Sequence, residues 1–143
     1  MKDESVYITH SPEETEEVGK KIAESIKKGG VIALRGGLGA GKTCFVRGLA
    51  AGLGFNGDVS SPTFAIINEY VGGRLLLCHF DMYRVTGWED LYSTGYFDYL
   101  DAGALLAVEW SENIAAALPE KHFTVTITEL GDGSREIRTE GVI

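Results

Sequence analysis

The apolar positions change period several times along the chain, and each change marks an expected element. Val6 to Thr9 is long enough only for a short strand. Ser11-Pro12-Glu13-Glu14 then spells a helix start, with a capping Ser, Pro at the first helical position and Glu three after the cap. Val18, Ile22 and Ile26 recur on one face and carry this helix to about Lys28, where Gly29-Gly30 ends it. Val31 to Arg35 reads as a short buried strand, and a helix follows from Lys42 to about Leu53. Ala65 to Val71 and Arg74 to Phe80 read as strands joined at Gly72-Gly73. Glu89 to Ser93 is a helical turn or short helix, and Leu105 to Val108 a buried strand. Phe123 to Leu130 alternates, turns at Gly131-Asp132-Gly133 and continues in Ser134 to Thr139 as a hairpin. No repeat, low-complexity tract or linker interrupts the series. The expectation is one α/β domain over residues 1–143, with a mostly parallel central sheet and antiparallel additions.

Composition narrows the function classes. The net charge is −8, from 21 acids against 13 bases, which argues against unaided nucleic-acid binding because phosphate neutralisation needs clustered Lys and Arg. No apolar run is long enough to span a bilayer, and the acidic N-terminus does not read as a signal peptide. Two cysteines, Cys44 and Cys78, make no disulfide framework and suit the cytoplasm.

The connection between the second strand and its helix carries the chemistry. Arg35 to Cys44 reads RGGLGAGKTC: Gly36, four residues, then Gly41-Lys42-Thr43. Glycines let successive backbone N–H groups point inward at a phosphate, and the helix N-terminus adds partial positive charge. Gly37, Leu38, Gly39, Ala40 and Gly41 supply that cradle, Lys42 reaches the outer phosphates, and the Thr43 hydroxyl can ligate Mg²⁺. Strand, loop and helix in this order are the context of a P-loop NTPase. A second glycine pattern, Gly52 to Gly57, spells G-x-G-x-x-G but follows a helix instead of a strand, so it reads as a helix end and turn.

Two apolar runs deliver a carboxylate at their ends. Leu75 to Phe80 ends in Asp81, and Leu105 to Val108 ends in Glu109. In open α/β sheets, ligands sit at the carboxyl ends of strands. One acid would hold Mg²⁺ and the other would orient or deprotonate the attacking water; residue pattern alone does not assign which. His79 lacks further ligands at metal spacing and reads as a core residue or a support for the acids. Ser60 to Phe64 reads either as an ordinary turn or as a switch segment in which the Thr63 hydroxyl reports a γ-phosphate.

Taken in order and spacing, GGLGAGKT, SSPTF, HFDMYR and AVEW resemble the TsaE (YjeE) family, and the likeness runs from SPEET to SREIR. Met82 stands where Leu is common in that family. The resemblance implies an ATPase, weak alone, that acts with the partners TsaB and TsaD in forming threonylcarbamoyladenosine at position 37 of tRNA. Its hydrolysis is thought to reset the complex between turnovers. By matching position, it implies that Lys42 contacts phosphates, Thr43 ligates Mg²⁺, Thr63 lies near the γ-phosphate, and Asp81 and Glu109 are the functional acids, with Glu109 in the Walker B position. Ser11 and Arg135 would line the nucleotide pocket. Trp110 is part of the family signature. Transfer RNA would then be reached through the partners, which fits the acidic composition. Tyr83, Trp88 and Tyr92 read either as core aromatics or, with Arg84, as anchors of a protein interface. The competing readings are a small-molecule kinase, which would need an Arg-bearing lid, and a nucleotide switch that does not hydrolyse. No N-K-x-D guanine-reading segment is present.

Overall fold

A computed structural model describes residues 4–37, 41–59 and 67–141. Seven strands form one sheet: β1 (Glu4–Thr9), β2 (Gly30–Arg35), β3 (Ile67–Tyr70), β4 (Leu77–Asp81), β5 (Leu105–Glu109), β6 (Phe123–Glu129) and β7 (Arg135–Gly141). Their spatial order is β1-β7-β6-β2-β5-β4-β3. The four central strands β6, β2, β5 and β4 run parallel, and β7, β1 and β3 add antiparallel edges. This is the expected sheet.

Alternation along the buried strands sends side chains to two faces. Ile32, Leu34, Leu105 and Ala107 meet helices α1 (Pro12–Ser25) and α2 (Lys42–Gly52) on one side. Val31, Leu106, Val108 and Phe80 meet α3 (Trp88–Ser93), α4 (Tyr96–Asp101) and a 3₁₀ segment (Ser111–Ala117) on the other. The α1–α2 pair is unusually close. A Cβ at Gly48 would lie 2.0 Å from the Glu16 carbonyl oxygen, and one at Gly52 would lie 2.5 Å from that of Lys20. Only glycine permits this approach.

Several boundaries differ from the sequence reading. Helix α1 ends at Ser25, not near Lys28, because Ile26 turns extended (ψ 122°) and drops into the core. The chain must then reach the sheet, where the Gly30 N–H donates to Ala104 O at 3.1 Å. Strand β4 begins at Leu77, not Arg74. Arg74 is drawn to the helix ends instead: its backbone N–H donates to Leu53 O (2.8 Å) and its guanidinium to Ala23 O. The G-x-G-x-x-G decoy is the end of α2, with Gly54 at φ +93°. Helix α4 and the 3₁₀ segment were not legible from periodicity, since each is only six or seven residues long.

Candidate nucleotide site

The parallel register brings the strand ends together. Leu34 of β2 pairs with Glu109 of β5, and Asp81 of β4 pairs with the same Glu109. The loop that follows β2 therefore opens beside both acids. Gly41 begins α2 in the left-handed region (φ +107°), offers no capping side chain, and no acid occupies the first turn. The helix N-terminus carries partial positive charge, which Gly41 does not answer with a side chain.

Lys42 and Glu109 form the centre of the site. Lys42 Nζ lies 3.0 Å from Glu109 Oε1 and donates to Gly36 O at 2.9 Å. His79 is fully buried, and its Nε2 lies 2.6 Å from Glu109 Oε2. A carboxylate only accepts, so Nε2 carries the donated proton. Nδ1 is buried with no hydrogen-bond partner among the described residues. Burial pushes the Glu109 carboxyl upward, but the hydrogen bond and charge of His79, followed by those of Lys42, outweigh it and hold the group below its ordinary value. Glu109 is thus an anion with both oxygens engaged. Its neighbour Asp81 is half-buried and accepts from the Tyr83 N–H at 3.0 Å.

The two strand ends are tied to each other. Met82 N–H donates to Glu109 O at 3.0 Å, and Asn113 Nδ2 donates to Met82 O (2.9 Å) and Tyr83 O (3.3 Å). Directly after Glu109, Trp110 takes left-handed backbone angles (φ 58°, ψ 38°), and its ring meets Tyr83 edge-on at 5.0 Å. A bulky residue in this region costs about 1–2 kcal/mol, and such outliers gather at functional sites. Trp110 walls a cavity of about 120 Å³ together with Arg35, Gly36, Lys42 and Glu112.

Ser11 and Arg135, distant in sequence, meet because β1 pairs with β7 in the register Thr9↔Arg135. They line a cavity of about 170 Å³ with Thr15, Gly41, Cys44 and Gly133. Ser11 also caps α1, accepting from the Glu14 N–H at 3.1 Å. Gly37 follows β2, and Gly41, Lys42 and Thr43 lie at the start of α2. Leu38, Gly39, Ala40 and Thr63 lie outside the described residues. Cys78, beside His79 in sequence, does not join it as a ligand. Burial, then the nearby Glu69 charge, pushes its thiol up to about 12, and no cluster of three metal-ligating side chains exists among the described residues. Sequence reasoning missed Asn113 and the Lys42–Glu109 pair, which depend on contacts between separate elements.

The sequence matches the family of the threonylcarbamoyl adenosine biosynthesis protein TsaE over residues 9–137. The chain belongs to the TsaE family. Among TsaE proteins, that of Bacillus subtilis is 42% identical over 131 residues, spanning 92% of this chain and 82% of its own. That of Treponema pallidum is 39% identical over 130 residues, spanning 91% and 96% respectively. The crystal structure of Bacillus subtilis YdiB superposes with a TM-score of 0.84 at 37% identity, covering all of this chain and 88% of the other. The TsaE fold assigned from GGLGAGKT and the strand-end acids is therefore the one observed.

Proposed function

We propose that this TsaE-family chain binds ATP with Mg²⁺ and hydrolyses it as the nucleotide-driven subunit of threonylcarbamoylation at adenosine 37 of tRNA. In this reading it acts with TsaB and TsaD and resets their complex between turnovers. The observation that carries the reading is the meeting of Lys42, Glu109 and Asp81 at one end of the sheet, beside the N-terminus of α2, where Gly41 brings no capping side chain.

The residues suit the groups they would hold. Mg²⁺ needs only one or two carboxylates, because phosphates and water fill its remaining positions. Asp81, Glu109 and Thr43 would supply the protein's share, and bound Mg²⁺ would neutralise phosphate charge. Gly37 to Thr43 would cradle the phosphates, Thr63 would sit near the γ-phosphate, and Ser11 and Arg135 would line the far end of the nucleotide. Lys42 donates to Gly36 and pairs with Glu109, and turning its ammonium from Glu109 toward phosphate would exchange one anion for another. That turn would release Glu109 Oε1, while His79 keeps Oε2 in place. Glu109 then either holds the metal or orients the attacking water, and Asp81 takes the other task. Both cysteines are free thiols, which supports placement in the cytoplasm.

Mg²⁺-dependent ATP hydrolysis measured with and without the TsaB–TsaD pair tests the reading. The expected result is a slow rate that rises with the pair, and a Lys42→Ala chain slower by on the order of a hundredfold. A rate indifferent to the pair, or one requiring a small phosphate acceptor, overturns it in favour of a kinase.

A further inference from the structure

On the face of the sheet away from α1 and α2, helices α3 and α4 expose a set of rings that the nucleotide site does not use. Trp88 is 54% exposed and Tyr92 65% exposed. Both are held by Phe97, which is only half-exposed. Trp88 stacks on it at 6.3 Å and 17° between planes, and Tyr92 approaches it at 5.0 Å. Leu91 and Tyr96, on the same two helices, are buried and fix the pair to the core. The rings are thus presented on a packed base, with little side-chain freedom to lose on contact.

Charge says what kind of partner suits this face. Residues 86–103 contain Glu89, Asp90, Asp98 and Asp101 and not one Lys or Arg. All four acids are exposed, and none has an ion-pair partner among the described residues. Asp90 accepts from the Thr86 N–H and hydroxyl, which draws the loop onto the first turn of α3. Exposed rings attract the faces of bases as well as cations. Four unpaired carboxylates, however, repel a phosphate backbone or an anionic lipid surface. They also repel a second copy of this chain, whose net charge is −8.

We propose that the α3–α4 face docks a Lys- or Arg-bearing segment of a protein partner, with the cationic side chains lying over Trp88 and Tyr92 and answered by Glu89 and Asp98. The proposal rests on the reading that this chain works inside a protein assembly. It assigns the contact to a surface separate from Lys42, Asp81 and Glu109.

The test compares three chains: wild type, Trp88→Ala, and a double variant Glu89→Lys with Asp98→Lys. All these substitutions are at exposed positions, and thermal melts check that each chain is folded. Affinity for the TsaB–TsaD pair is measured by calorimetry, and ATP binding is measured alongside. Each variant should bind the pair about tenfold more weakly or worse, lose much of the salt dependence of binding in the case of the double variant, and bind ATP as wild type does. Variants that bind the pair like wild type overturn the proposal. A wild-type chain that ignores the pair overturns the partner reading instead. In that event, NMR titration with a synthetic Arg-rich octapeptide decides the surface by itself. Shifts confined to residues 86–101, absent with a Glu-rich octapeptide and in Trp88→Ala, support it. No shifts there overturn it, as does binding of single-stranded RNA at this face or self-association abolished by Trp88→Ala.

Discussion

Glu109 accepts from a buried imidazole on one oxygen and meets an ammonium on the other, with distances of 2.6 and 3.0 Å. Hydrogen bonds to charged groups contribute about 1.5–3 kcal/mol when buried. Glu109→Gln keeps the volume and an acceptor for His79 but removes the charge facing Lys42. In the metal-free chain it should lower unfolding free energy at neutral pH by about 1.5–3 kcal/mol, read by urea titration. The pH dependence follows from the direction of the shift. A carboxyl held below its ordinary value gives stability that is complete above the ordinary carboxylate range and is lost as pH falls through the folded value. Wild type and variant should therefore converge on acidification, and a gap that persists unchanged at low pH would sink this account. Residue identity at the site was largely legible: Lys42, Asp81 and Glu109 stand where a glycine loop and two apolar runs put them. The bond from His79 to Glu109 was not, because the two lie thirty residues apart and meet only through pairing of β4 with β5.

Among the elements, the α1–α2 pair sets where α2 begins, at Gly41 and Lys42. Its closeness depends on glycines facing backbone. At Gly48 an added Cβ would be 2.0 Å from the Glu16 carbonyl oxygen, and backbone cannot swing aside as a side chain can. Gly48→Ala should destabilise the chain by on the order of 1–3 kcal/mol despite alanine's better helix propensity. A thermal melt unchanged or raised would show that the helices do not pack this tightly. Periodicity found α1, α2 and the long strands because each repeats its pattern often enough to be seen. It overran α1 and β4, whose ends are decided by Ile26 entering the core and by Arg74 bonding to Leu53 and Ala23.

For the whole molecule, charge is the leading property. Twenty-one acids against thirteen bases leave no excess of cations to release counterions from RNA. The isolated chain should not retard tRNA in a native gel at physiological salt at concentrations up to about 10⁻⁴ M, the weak end of ordinary non-specific binding. Retardation at micromolar concentration would show a nucleic-acid surface that the acids do not reveal. The sequence by itself determined the α/β class, the phosphate loop, the strand-end acids and the sign of the surface, because each is written in contiguous residues or simple sums. Tertiary structure alone decided that Ser11 and Arg135 share a cavity, that Lys42 rests on Glu109, and that Trp88 and Tyr92 face solvent while Tyr96 is buried. Those outcomes depend on strand order and register, which pair residues far apart in the chain and which no local pattern encodes.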